Sequence, residues 1–190
     1  MAAVSYTAPF APTLPAPVGF DAEIQRLQLA LAAELSWLAV SYGRATRGGK
    51  KQGNKLITFP EVYHGNGEYR DVLPNDNVAA QSFFYPRDPA TNLADEPGPS
   101  VGLRMDCDLI FWCNLKKIDP TKPYRFEAEL LQDVLRVLNQ EGGVLIKRVF
   151  TSAEEVYRGF SVDTVDEQFL RHPFCGFRIQ LELHVLNMLC

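Results

Sequence analysis

The plainest pattern in the chain lies between residues 101 and 115. Odd positions read Val101, Leu103, Met105, Cys107, Leu109, Phe111, Cys113 and Leu115; even positions read Gly102, Arg104, Asp106, Asp108, Ile110, Trp112 and Asn114. A two-residue apolar period over this length predicts a long strand. Its odd face belongs in a core; its even face starts polar and ends covered. The alternation returns near the C-terminus, where Cys175, Phe177, Ile179, Leu181, Leu183 and Val185 face one way and Arg178, Gln180, Glu182 and His184 the other. Two half-polar strands of this kind predict an α+β domain, with a mainly antiparallel sheet and two principal helices packed on one face.

Both helices are read from 3–4 residue spacing. Ile24, Leu27, Leu31, Leu35 and Leu38 make one stripe of a helix over 21–42, opened by Asp21 and stopped by Gly43. Leu29, Trp37 and Val40 fall off that stripe and imply a second covered side. Thr121 and Pro123 open the other helix, which carries Phe126, Leu130, Val134 and Leu138 and ends at Gly142-Gly143. A strand over 144–150 follows. Ser152 and Glu155 are spaced as a capping box for a short helix reaching Val156 and Tyr157. Residues 161–173 are ambiguous, with a helical turn around Asp166–Leu170 as one reading. Three short strands, LITFPEV, EYRDVL and VAAQSFFY, alternate with turn residues between 56 and 86.

Three segments stand outside this pattern. Residues 1–20 are proline-rich and uncharged, hence extended. They read either as a disordered terminus or as an arm that lays Tyr6, Phe10 and Leu14 on a neighbouring subunit. Residues 43–55 hold five Lys/Arg and no acid among glycines. They read as an exposed loop, with Arg44, Arg47, Lys50 and Lys51 as candidate contacts to DNA backbone or an acidic partner. A P-loop is rejected, because the segment follows a helix and lacks Ser or Thr after the lysine. Residues 87–100 read as a second exposed loop. Residues 21–190 then form one domain, a length that suits a single core.

Composition narrows the function classes. A hydrophobic fraction of 46% excludes disorder for the body of the chain, and a net charge of −4 gives no global field that would draw it onto nucleic acid. No apolar run approaches the ~20 residues of a membrane span. No Lys or Arg precedes Arg26, so the N-terminus lacks the charged start of a secretory signal. The cysteines Cys107, Cys113, Cys175 and Cys190 read as reduced thiols of a cytoplasmic protein, the first three in core register. Cys107 and Cys113 lie roughly 20 Å apart along one strand, too far to share a metal.

The candidate chemistry is thin. Asp106 and Asp108 share a strand face but have no His, Lys or third acid placed nearby in sequence, and read as a solvated or subunit-facing acidic patch. His64 stands in a His-Gly-Asn-Gly turn, and His184 on a polar strand face. No nucleophile elbow, zinc-protease helix or dinucleotide fingerprint occurs. The expectation is a non-enzyme with no cofactor, metal or catalytic residue.

The order of elements resembles that of phage tail terminator and related tail-completion proteins. It runs helix (21–42), strands with long loops, long strand (101–115), helix (124–140), strand (144–150), short helix and terminal strand (174–187). The terminal GFRIQLELHV is similar in style to theirs. The resemblance covers residues 20–187 as topology, without the Pro-rich arm or the 87–100 loop. It implies a hexameric ring that caps the tail tube, stops its polymerisation and joins it to the neck. The partners implied are the chain itself, tube and neck or connector proteins, and DNA passing without sequence specificity. The implied location is the virion, after assembly in the host cytoplasm. Other readings are a different tail, baseplate or connector subunit, a nucleic-acid binder using 43–55, and a small-ligand enzyme. A pocket uniting Asp106, Asp108 and His184 would favour the last.

Overall fold

A computed structural model describes residues 10–65, 67–87, 92–93, 103–161 and 171–185. The protein is α+β. The strands are β1 (Val40–Gln52), β2 (Lys55–Gly65), β3 (Glu68–Asp71), β4 (Ala80–Pro86), β5 (Asn92–Leu93), β6 (Leu103–Asn114), β7 (Val144–Phe150) and β8 (Phe174–Val185). The helices are α1 (Phe20–Glu34), α2 (Leu115–Ile118), α3 (Glu127–Glu141) and α4 (Ala153–Val156). The strands lie in the order β3-β2-β1-β4-β6-β8-β7, with β5 paired to β6. The sheet is mainly antiparallel but mixed, since β1 and β4 run parallel.

The two alternating segments pair with each other along their whole described length, from Leu103 opposite Val185 to Asn114 opposite Phe174. Their odd positions share one buried core with Ile24, Leu27 and Leu31 of α1 and with Leu130, Val134 and Leu138 of α3. Within it Phe111 stacks on Phe177 at 4.8 Å and meets Trp37 at 6.0 Å. The opposite face is buried as well, at its far end. Ile110 and Trp112 join Ala45, Val62, Phe83, Val156, Tyr157 and Phe160 in a second core. Burial of each such side chain contributes about 1.5–3 kcal/mol, so both layers contribute to stability.

The first helix is shorter than its stripe predicts. It ends at Glu34, where the Leu35 N–H bonds to the Leu31 carbonyl. Leu35 and Leu38 still reach the first core, through a turn. Val40 and Ser41 instead pair with Gln81 and Ser82 of β4, and sheet pairing overrides helical spacing in this β-branched and aromatic stretch. Gly43 therefore lies inside β1 and stops nothing. Nor does Asp21 cap the helix. Gly19 holds the cap position without a side-chain bond, and Asp21 bonds Arg44 at 3.1 Å. A full charge is a stronger partner for a carboxylate than a neutral amide.

The predicted loop at 43–55 is a β-hairpin. β1 pairs with β4 only as far as Arg44, then runs on with β2 alone until Gln52 meets Lys55 across Gly53-Asn54. Gly53 has φ 60°, the conformation such a two-residue turn demands. Gly48 is needed for a different reason. A Cβ there would lie 2.5 Å from Glu61 Oε2 and 2.8 Å from the Phe59 ring.

Smaller corrections concern helix starts. α3 begins at Glu127, later than Thr121-Pro123, because Asp119 takes the Thr121 N–H and hydroxyl into a local turn. Asn114 caps the unforeseen α2 through the Lys117 N–H. The Ser152 hydroxyl makes no cap bond to α4, and Glu155 turns to Arg178. Asn92 and Leu93, in the predicted 87–100 loop, pair with Arg104 and Leu103. The predicted turn at Asp166–Leu170 lies outside the described residues. No helix among those described is long and apolar enough to cross a membrane.

Candidate functional site

The predicted arm is tied, in its described part, to its own chain. Phe10 forms a parallel bridge with Val40, its N–H bonding the Ala39 carbonyl and its carbonyl accepting from the Ser41 N–H. The Leu14 N–H bonds Gln25 Oε1 at 2.7 Å, and Gln28 Nε2 donates to the Pro12 carbonyl at 2.8 Å. Phe20 already belongs to α1. The Phe10 ring is nonetheless 54% exposed. Tyr6 lies outside the described residues. The segment roofs a cleft of about 320 Å³ over α1 and β1, which includes Asp21, Arg44, Tyr63 and Tyr69.

The structure separates Asp106 from Asp108. Asp106 stays on the surface, where Lys147 Nζ bridges it at 2.7 Å and Glu182 at 2.6 Å, and Glu182 bonds His184 at 2.8 Å. Bonds to the two carboxylates raise the Lys147 pKa, and Lys147 in turn lowers that of Glu182. Asp108 is buried within its own chain, contrary to the solvated or subunit-facing patch its polar strand face predicts. Its side chain is 5% exposed beside Arg178 at 2% exposed. The cause is the second core, whose segment from α4 to Phe160 covers this part of the sheet. Ile110 and Trp112 in the same register are the sequence signals of that cover.

The buried pair is neutralised but poorly bonded. Asp108 Oδ2 lies 3.7 Å from Arg178 and 3.5 Å from Arg87, while Asp108 Oδ1 and Arg178 Nε have no hydrogen-bond partner. Arg178 also bonds Glu155 at 3.0 Å and lies over the Phe150 ring at 4.5 Å. Burial raises the Asp108 pKa and lowers that of Arg178, against the pull of each charge on the other. This is an internal tether between α4 and the sheet, and neither cleft, here or between α1 and α3, includes it.

Burial also pushes up the pKa of the Cys107 and Cys113 thiols and of the Tyr157 hydroxyl. That direction suits inert core groups and opposes thiolate chemistry. Among the described residues no three His, Cys, Asp or Glu side chains stand together as a metal-ligand set. Asp106 and His184 are only surface members of one ionic network, so Asp106→Asn and His184→Ala should leave the thermal midpoint and any assembly of the protein nearly unchanged. Loss of assembly in a folded variant would give this network a role that its geometry does not.

The four candidate basic contacts are all on β1. Arg44 pairs with Asp21, Arg47 lies 6.0 Å from the Phe160 ring, and Lys50 and Lys51 are exposed towards the tip. Thr58 and Ser161 bond each other through backbone and side chain, which holds the hairpin to the second layer as far out as the Gly49–Thr58 pair. Beyond that point the ribbon carries Leu56, 63% exposed, directly opposite Lys51. No protein-family model matches the chain, and no curated protein matches it.

Proposed function

We propose that the chain is a structural virion protein of a tailed phage or prophage, a tail terminator or neck subunit. Copies of it form a ring that ends the tail tube and joins it to the head. The observation that carries this reading is the β1–β2 ribbon, in which β1 parts from β4 after Arg44 and runs on to an exposed apolar and basic tip. The stem of the ribbon is held by the second core and by Ser161, whereas Leu56 at its tip is exposed, and burying that side chain on another chain would be favourable. The mainly antiparallel sheet adds support, and in this reading α1 and α3 serve as the two principal helices on one face. In this reading residues 21–190 act as one domain and the segment before them supplements its contacts.

The partners are further copies of the chain, the tail tube and the neck or connector proteins. An overall charge of −4 lets DNA pass the ring without being held to it. The site of action is the tail or neck of the virion, assembled in the host cytoplasm. Negative-stain images of the purified protein test the proposal. Closed rings with a central opening and six-fold symmetry are expected, and fields of single small particles would overturn it.

A further inference from the structure

Between the end of α1, α2 and the start of α3 lies a second cleft, of about 340 Å³. Trp37, Ile118 and Phe126 give it an apolar floor, and Asp119, Glu129 and Asp133 an acidic rim. Among the described residues Lys122 is the one cation of the lining, and Arg136 beside the cleft lies 3.8 Å from Asp133. Lys122 bonds Glu129 and lies over the Phe126 ring at 4.6 Å. A long aliphatic cation thus already lies on this floor with its charge against the rim.

The hairpin tip has the complementary chemistry. Leu56 projects into solvent with Lys51 paired opposite and Lys50 next to it. The five cations of residues 44–55 belong to a chain of net charge −4, so the remainder carries −9. That remainder attracts the hairpin of another copy. A nucleic-acid contact fits less well, because phosphates would engage the lysines, leave Leu56 in water and meet the same acidic remainder.

We propose that the β1–β2 hairpin tip of one copy docks in the α1–α3 cleft of the next, Leu56 on the apolar floor, Lys51 on the same ribbon face against the carboxylates, and Lys50, on the other face, adding its charge at the edge of the contact. This rests on the ring-subunit reading and names the contact that closes the ring. The two patches are distinct on each chain. The hairpin is built on the second core through Ala45 and Val62, whereas the cleft opens on the first through Phe126 and Leu130. Distinct patches make a head-to-tail contact, which gives a ring when the rotation closes.

Charge reversal tests the contact by sedimentation velocity of the full chain. Lys50→Glu/Lys51→Glu has an acidic tip and an acidic cleft; Glu129→Lys/Asp133→Lys has a basic tip and a basic cleft. Each alone is expected to sediment as the 21.3 kDa chain, and an equimolar mixture, in which every contact is again between opposite charges, to recover the wild-type mass. Should either variant lose the wild-type circular dichroism, Leu56→Ser takes its place. A smaller species supports the contact, and an unchanged mass overturns it. A wild-type oligomer whose mass survives both reversals overturns the docking and leaves the ring standing. A wild type that is a single chain at every concentration overturns both. If Lys50→Glu/Lys51→Glu keeps its mass but loses salt-dependent binding of duplex DNA, the hairpin is a nucleic-acid contact and the proposal fails.

Discussion

Replacing Arg178 by Met should destabilise the protein by about 3–5 kcal/mol, the usual cost of stranding a buried charge. Arg178 is the innermost cation beside Asp108, whose Oδ1 already lacks a partner, and Arg87 at 3.5 Å sits at the solvent edge. The loss should depend on pH with a definite sign. Asp108 has a folded pKa above its unfolded one because burial opposes its charge, and removal of Arg178 raises it further. Such a group favours the fold below its unfolded pKa and loses that contribution as pH rises through the folded one. The variant's deficit should therefore narrow as pH falls into the carboxylate range. The double variant Asp108→Leu/Arg178→Met should recover most of the loss, since a loosely bonded buried pair stabilises little over apolar residues. Urea melts of the three proteins at neutral and acid pH measure this. Equal stability of wild type and Arg178→Met would remove the tether from the account.

Phe111→Ala should be as damaging, at about 3–5 kcal/mol. Its ring is fully buried, stacked on Phe177 and tilted against Trp37, so truncation opens a cavity between sheet and helices where neither layer can collapse. Leu181→Ala, on the neighbouring strand in the same core, should cost about 2–5 kcal/mol. Changes below about 1 kcal/mol in urea melts of both would mean that these positions are not packed as described.

The central strand pair was legible because two-residue periodicity over a dozen residues has one physical solution. The stripe of α3 was legible for the same reason. At the helix ends, local chemistry yields to a distant partner. Leu35 and Leu38 keep helical spacing, yet residues 40–44 are claimed by β4. Asp21 and Glu155 look like helix caps, yet each turns to an arginine, Arg44 or Arg178. The hairpin was misread for a different reason. Gly53-Asn54 between Gln52 and Lys55 is a turn signature, but the lysines and glycines around it resemble a solvated loop. Asp108 could not have been placed, because its burial depends on α4 and on Tyr157 and Phe160, some fifty residues further along the chain. Of the candidate contacts, Arg44, Arg47, Lys50 and Lys51 do share one element, whereas Asp106, Asp108 and His184 share no pocket.

The assembly state bears most directly on what this chain does. Sedimentation equilibrium of the full chain over a wide concentration range measures it without reference to shape. The account predicts a species of six times 21.3 kDa that persists on dilution and dissociates at high salt, as contacts between opposite charges should. A single 21.3 kDa species at every concentration and salt would contradict it.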